Sequence, residues 1–298
     1  VCLIMGASGT GKSTSIKTLD PKETVIFNVL KKRLPFKGSN SLYNAENKNM
    51  FNVDSHDAIV TYLQSINTNA DAKHVKNVVI DDITYVMRKE YFKTAKQTGF
   101  NKFVDMAAHF QSIISTAENM RDDINVFMLI HCEEVISDNT IVGYKPSTVG
   151  KLIDSSYNPV EVVPILLFSK VKFDDKGNAT FGFYTHRCME GNVEIPAKSP
   201  AEMFEEDFIP NDLGLVVKAM NEYGVNLNTI PYELNRKEIL KRDNRNSEMV
   251  LYGFYALMTS AQCVHKNSEK CDKKSCVMYL KDRYKKLFPV KNNCNECY

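Results

Sequence analysis

The sequence lacks any apolar run of about 18 residues, so we expect no transmembrane helix and no membrane partner. It also lacks a charge excess, because 38 basic and 36 acidic residues leave a net charge of +2. This balance gives no global electrostatic argument for nucleic acid, although it leaves room for a local basic face. No internal repeat, low-complexity tract or signal peptide is visible, which favours a globular protein of the cytoplasm.

The composition itself is that of an ordinary globular protein, with 298 residues, 43% of them hydrophobic and 25% charged. It changes after Gly224, and residues 235–248 consist mainly of charged side chains and asparagine. We therefore predict two parts: a nucleotide-binding domain at 1–235, then a linker and a small cysteine-rich module at 236–298.

The first motif follows a short apolar strand at residues 1–5 and has the form Gly6-x-x-x-x-Gly11-Lys12-Ser13. Strand, glycine-rich loop and helix are typical of a phosphate-binding loop, whose backbone N–H groups point at phosphate oxygens. In this pattern Lys12 reaches the β- and γ-phosphates of ATP, and the Ser13 hydroxyl binds Mg²⁺. The residues predicted to bind the nucleotide are Gly6, Ala7, Ser8, Gly9, Thr10, Gly11, Lys12, Ser13 and Thr14.

The second motif is a buried strand that ends in two adjacent carboxylates, Asp81 and Asp82. After a phosphate-binding loop, the first acid is expected to hold Mg²⁺ and the second to orient or deprotonate the attacking water. Glu46, in a polar loop after the strand predicted at residues 24–30, is a reserve candidate for activating water. The structural alternative is a strand that merely ends at a polar helix cap.

Another apolar strand, predicted at residues 125–131, ends in His131. In an α/β sheet this position faces the ligand, so His131 could sense the γ-phosphate. An equally weighted alternative is a histidine satisfied by hydrogen bonds at a strand end. The next strands, at 160–173 and 179–187, predict an antiparallel extension of one edge of a parallel sheet, and the segment 133–159 is expected to be a polar connection.

Five of the eight cysteines lie in the last 36 residues. Their spacing resembles a small zinc module, because two close pairs are separated by 17 residues. The preferred zinc ligands are Cys271, Cys276, Cys294 and Cys297. Cys263 and His265 are substitutes, an iron–sulfur cluster would also suit four thiolates, and unliganded cysteines are the structural alternative.

Several segments together resemble phage-type RecA-like ATPases of the AAA superfamily. They are GASGTGKS (6–13), FNVLKKRLPFKG (27–38), VVIDDI (78–83), TVGKLID (148–154), AKSPAEMF (197–204) and IPNDL (209–213). The resemblance covers residues 1–223 and implies an α/β fold with a mostly parallel central sheet flanked by helices. It also implies a homo-oligomer in which a neighbouring subunit completes the ATP site, and Lys151 is the candidate for that cation.

The resemblance predicts an ATPase of a bacteriophage that acts in DNA recombination, annealing or replication in the host cytoplasm. Its expected partners are single-stranded DNA or a single-strand-binding protein. A second hypothesis is a structural or scaffold component of a phage particle, which binds nucleotide without significant catalysis. A third is a small-molecule kinase, which ranks last because Arg88, Arg121 and Arg187 are scattered singly, whereas a kinase lid needs arginines near the phosphates.

Overall fold

A computed structural model of the protein describes residues 1–149 and 158–224. Its centre is a β-sheet whose inner strands consist of apolar, often β-branched residues, as expected where both faces are covered. Three strands are buried at every position: β1 (Cys2–Gly6), β2 (Thr24–Asn28) and β4 (Asn77–Asp81). The others in this sheet are β3 (Met50–Phe51), β5 (Asn125–Ser137), β7 (Ile165–Phe173), β8 (Ala179–Tyr184) and β11 (Phe208–Pro210).

The strand order is β11-β8-β7-β1-β5-β4-β2-β3. The six strands from β7 to β3 are parallel, whereas β8 pairs antiparallel with both β7 and β11. The predicted mixed α/β fold with a mostly parallel sheet is therefore confirmed. Because parallel strands end at the same edge of a sheet, β1, β4 and β5 bring Gly6, Asp81 and His131 to one region.

Helices cover both faces of the sheet. On one face α2 (His56–Thr68), α3 (Thr84–Lys93) and α4 (Asn101–Glu118) enclose a core that includes Leu3 and Phe110. On the other face a 3₁₀ helix (Ser13–Thr18) and α6 (Leu213–Gly224) pack around Ile4 and Val216. The short helices are α1 (Ser39–Leu42), α5 (Pro159–Val162) and a 3₁₀ turn at Ala70–Ala72.

The outer half of β5 leaves the main sheet and pairs antiparallel with β6 (Thr140–Pro146). β6 in turn pairs with β10 (Val193–Ile195), which pairs with β9 (Cys188–Glu190). The expectation of a polar connection from 133 onward is therefore wrong for residues 133–146, and His131 lies within β5, not at its end. These strand segments are mostly exposed, and their aliphatic residues fall in adjacent pairs, Val135–Ile136 and Ile141–Val142, so the sequence lacks the alternation of a half-buried strand.

The helix after the glycine-rich loop also differs from the prediction, since it is a six-residue 3₁₀ helix. Its hydroxyl side chains bond to nearby carbonyls: Ser15 Oγ donates to Lys12 O at 2.5 Å, and Thr18 Oγ1 donates to Ser15 O at 3.1 Å. Such local bonds compete with α-helical geometry. The electrostatic contribution expected from a long helix dipole is therefore small here.

Candidate functional site

The glycine-rich loop between β1 and the 3₁₀ helix needs glycine for both conformation and space. Gly9 has a φ of 83° and Gly11 a φ of 95°, a region that side chains disfavour. A Cβ on Gly6 would lie 2.5 Å from the carbonyl oxygen of Ser169. A Cβ on Gly11 would lie 2.5 Å from Nδ2 of Asn211. The sequence pattern thus reflects a loop that is tightly enclosed by its neighbours.

Two distant elements hold this loop in place. On one side, the Ser169 hydroxyl of β7 donates to the carbonyl of Thr10 at 3.0 Å, and the Thr10 hydroxyl donates to the carbonyl of Ala7 at 3.0 Å. On the other side, Nδ2 of Asn211 donates to the carbonyl of Gly11 at 2.9 Å. These hydrogen bonds hold the loop on both sides without any contribution from a ligand.

Lys12 lies under the loop and is only 6% exposed. Its ammonium donates to the carbonyls of Gly6 and Ala7, each at 2.8 Å. Burial lowers the pKa of Lys12, while Cys132, Asp82 and Asp81 act in the opposite direction. A phosphate oxygen that reached Nζ would compete with these two carbonyls for the hydrogen bonds of the ammonium. Because the phosphate oxygen is charged and the carbonyls are neutral, it would be the stronger acceptor.

Ser13 and Asp81, both predicted to bind Mg²⁺, are in direct contact: Ser13 Oγ donates to Asp81 Oδ1 at 2.7 Å. Asp81 is 5% exposed. Burial and the neighbouring charge of Asp82 raise the pKa of Asp81 to about 6, although the bond from Ser13 opposes the rise. A hydroxyl and a carboxylate oxygen this close together suit Mg²⁺, which binds a few protein oxygens and completes its coordination shell with phosphate oxygens and water.

Asp82 has an unusual backbone, with a φ of 64°, which turns its side chain away from the strand direction. Its two oxygens are held separately: His131 Nε2 donates to Oδ1 at 3.0 Å, and Lys32 Nζ donates to Oδ2 at 3.2 Å. Burial raises the pKa of Asp82, but these two partners outweigh it, so that its pKa lies below the usual value. Asp82 is therefore a fixed carboxylate at neutral pH.

These groups surround one open cleft of about 470 Å³. Its walls come from the glycine-rich loop, both acids, His131, a basic segment after β2, and one ring of β8. The lining residues are Ser8, Gly9, Gly11, Lys12, Ser13, Thr14, Lys32, Arg33, Pro35, Asp81, Asp82, His131 and Phe181. Of the predicted residues, Gly6, Ala7 and Thr10 are not among the lining residues, and their carbonyls accept hydrogen bonds that hold the loop.

Six residues of the site have no role predicted from the sequence: Lys32, Arg33, Pro35, Ser169, Phe181 and Asn211. Lys32 and Arg33 lie four and five residues after the end of β2, so the basic run 31–33 beyond the carboxyl end of a parallel strand is a signal that the sequence offers. No comparable signal marks Phe181 and Asn211, because they reach the loop only through the antiparallel strands β8 and β11. Asp212, the residue after Asn211, caps α6 by accepting the N–H of Leu215 at 3.0 Å.

Other predicted residues do not join the cleft. Lys151 and the four candidate zinc ligands Cys271, Cys276, Cys294 and Cys297 lie outside the described residues. Glu46 is exposed and is not among the described residues that line the cleft.

The arginines considered for a kinase lid are engaged elsewhere. Arg88 donates to the hydroxyl of Ser147 at 2.8 Å, Arg121 binds the carbonyls of Ile66 and Val75, and Arg187 pairs with Glu194. Within 1–149 and 158–224, Arg33 alone among the arginines lines the cleft. The kinase hypothesis therefore gains no support.

The parallel sheet, the glycine-rich loop with its lysine, and the serine–aspartate contact define the class of P-loop nucleotide-binding proteins. Residues 1–189 match the AAA domain family, and the chain belongs to that family. No curated protein matches it significantly. In the part of the chain that the structure describes, no helix is both long and apolar enough to cross a membrane.

Proposed function

We propose that the protein binds ATP with Mg²⁺ in the cleft and hydrolyses it. The observation that carries this proposal is the contact between Ser13 and Asp81 beside the buried ammonium of Lys12. It would place Mg²⁺ and the cation next to the phosphates that they must neutralise. Membership of the AAA domain family supports the use of nucleotide and Mg²⁺ in general.

In this proposal the two acids have different tasks. Asp81 would bind Mg²⁺, since ionisation of a carboxyl with a raised pKa becomes favourable next to a cation. Asp82 would orient the attacking water, because a carboxylate with a lowered pKa is a weak base but a good hydrogen-bond acceptor. His131 and Lys32 would hold Asp82 in position, and Lys32 would place positive charge near the γ-phosphate.

The test is steady-state ATP turnover of Asp82→Asn with the nucleotide affinity measured in parallel. We expect turnover to fall at least 100-fold while ATP still binds, because the amide cannot replace the carboxylate in orienting water. Asp175→Asn is the matched control, since Asp175 is an exposed acid in the β7–β8 turn. Wild-type turnover in Asp82→Asn would show that another group orients the water.

We further propose that hydrolysis serves DNA recombination, annealing or replication of a bacteriophage, as the sequence resemblance implies. The supporting observation is a basic, aromatic segment at residues 85–103, which begins three residues after Asp82. It contains five cations and one acid. Its rings include Phe92 and Phe100, which are 74% and 63% exposed. Exposed rings beside lysines suit stacking of unpaired bases and contact with a phosphate backbone.

Single-stranded DNA is therefore expected to bind and to stimulate turnover. Replacing Phe92 and Phe100 together by alanine should weaken DNA binding by at least 10-fold, because stacking contributes about 1–3 kcal/mol per base. Phe173→Ala is the control, since Phe173 is 70% exposed on β7. Unstimulated turnover and equal DNA affinity in both variants would favour the second candidate, a nucleotide-binding phage component without a DNA role.

A homo-oligomeric site is also part of the proposal. Lys151 of one subunit would complete the ATP site of the next, where a cation neutralises the charge that develops on the γ-phosphate. The zinc module at Cys271, Cys276, Cys294 and Cys297 would be a separate element. Elemental analysis that returns about one zinc per chain supports it.

A further inference from the structure

Three helices meet at a second cluster of polar side chains, outside the residues that line the cleft. His56 is the first residue of α2, Glu90 lies on α3, and His109 lies on α4. One ligand-type atom from each of the three lies within 4.8 Å of the other two. Nothing in the proposed ATPase cycle uses these residues.

We propose that His56, Glu90 and His109 form a binding site for a divalent transition-metal ion, with Zn²⁺ as the natural occupant. Imidazole nitrogen and carboxylate oxygen are ligands that Zn²⁺ accepts, and a set of two histidines and one glutamate leaves a fourth position open. The hard ions Mg²⁺ and Ca²⁺ prefer sites made only of oxygen, so the composition of the cluster selects against them.

The geometry needs only small side-chain movements to hold the ion. His109 Nδ1 and Glu90 Oε1 are 2.6 Å apart, and the rings of His56 and His109 are stacked with centroids at 3.6 Å. Two ligands of a tetrahedral Zn²⁺ lie about 3.4 Å apart, from bond lengths of about 2.0–2.1 Å. Rotation of the two rings out of their stack would direct both nitrogens at one point beside Glu90.

The surroundings of the cluster also suit an ion. The side chains of His56 and Glu90 are each 18% exposed and that of His109 is 36% exposed, so they are ordered by packing and still reachable from solvent. Asp57 Oδ1 lies 2.9 Å from Nε2 of His56 and is itself well exposed. This carboxylate can orient the His56 ring, as second partners of metal-binding histidines do, or water can fill the fourth position.

Bound Zn²⁺ would tie the three helices together at one point. α3 starts two residues after Asp82 and carries Glu90 two turns later. The ion would therefore hold α3 against α2 and α4 without entering the nucleotide cleft. This role rests on Zn²⁺ binding alone and stands whether or not the protein hydrolyses ATP.

The experiment is a Zn²⁺ titration of the full-length protein, stripped with a chelator and labelled with ¹⁵N in its histidine rings. The chain has six histidines, so each imidazole signal can be assigned from single variants. The signals of His56 and His109 should shift together and saturate at one equivalent for this site. The signal of His74, an exposed histidine, should not move. Zinc bound by the C-terminal cysteines would leave both site signals unchanged.

His56→Ala and His109→Ala should each weaken Zn²⁺ binding at this site by 10-fold or more, and His74→Ala should have no effect. Circular dichroism without metal checks that each variant folds, and Glu90→Gln provides a variant that keeps nearly the same shape. Zn²⁺ should also raise the melting temperature of the wild-type protein, and this rise should shrink in the site variants. Unchanged signals of His56 and His109 at millimolar Zn²⁺ would overturn the proposal and leave a stacked, hydrogen-bonded histidine pair.

Discussion

Replacing Asp81 by asparagine is expected to stabilise the fold while removing the proposed Mg²⁺ ligand. The carboxyl of Asp81 has a pKa of about 6 in the folded protein, against an ordinary value of 3.8. A raised pKa means that ionising the group costs free energy in the folded state. The difference of about 2 units corresponds to about 3 kcal/mol at neutral pH. The amide oxygen of asparagine can still accept the hydrogen bond of Ser13 and carries no charge.

The pH dependence gives this prediction its sign. Between about pH 4 and pH 6 the folded wild-type protein binds more protons than the unfolded chain, so its stability falls as the pH rises. The variant Asp81→Asn does not show this fall in stability, because its amide does not ionise. The variant should therefore be about 3 kcal/mol more stable at pH 7–8, and the difference should vanish near pH 4. For a domain of about 200 residues this corresponds to a rise in melting temperature of roughly 5–10 °C.

The assay is thermal and urea unfolding without Mg²⁺ at several pH values. Far-ultraviolet circular dichroism is the suitable probe, because the chain contains no tryptophan. Asp82→Asn is the matched control and should behave in the opposite way. The pKa of Asp82 is lowered by His131 and Lys32, so its charge stabilises the fold above its unfolded pKa. Equal or lower stability of Asp81→Asn at pH 7–8 would refute the view that burial makes the ionised form of Asp81 destabilising.

Three further predictions concern ATP. Lys12→Ala should abolish tight ATP binding and leave the circular dichroism spectrum intact, because the buried ammonium is the cation nearest the phosphates; unchanged affinity in calorimetry would contradict this. Asn211→Ala should raise the KM for ATP several-fold with little change in kcat, because it frees the carbonyl of Gly11 and loosens the loop without touching the acids. A kcat that falls as much as kcat/KM would place Asn211 in the chemical step. Mixing Lys151→Ala subunits with Lys12→Ala subunits should restore activity if neighbouring subunits share a site, and no recovery at any ratio would count against it.

The sequence predicts best those parts of the site that are local in the chain. The motif from Gly6 to Ser13 is one continuous segment, and Asp81 ends a fully buried strand, so spacing and hydrophobic pattern locate both. Their approach follows from the parallel sheet, because β1 and β4 end at the same edge. The contact between Ser13 and Asp81 can therefore be predicted from the motifs and the strand directions alone, without knowledge of side-chain packing.

The parts that the sequence does not predict depend on long-range packing or on exposed backbone pairing. Asn211 reaches Gly11 across 200 positions of the chain, through strands that no periodic pattern connects to the loop. The hairpin of β5 and β6 is mostly exposed and its aliphatic residues lie in adjacent pairs, so the alternation that identifies a half-buried strand is missing. His56, Glu90 and His109 come from three helices, and their meeting depends on how those helices pack.

The length of β5 has a mechanical consequence. His131 is the seventh of its 13 residues, and the six that follow project about 20 Å beyond the nucleotide cleft, at about 3.3 Å per residue. A paired β-ribbon resists bending along its length, so a small tilt at His131 becomes a larger displacement at the tip. The ribbon is braced where the amide of Ser147 donates to the carbonyl of His131 at 2.7 Å. β5 therefore joins the residue that holds Asp82 to the tip of the exposed ribbon in one continuous strand.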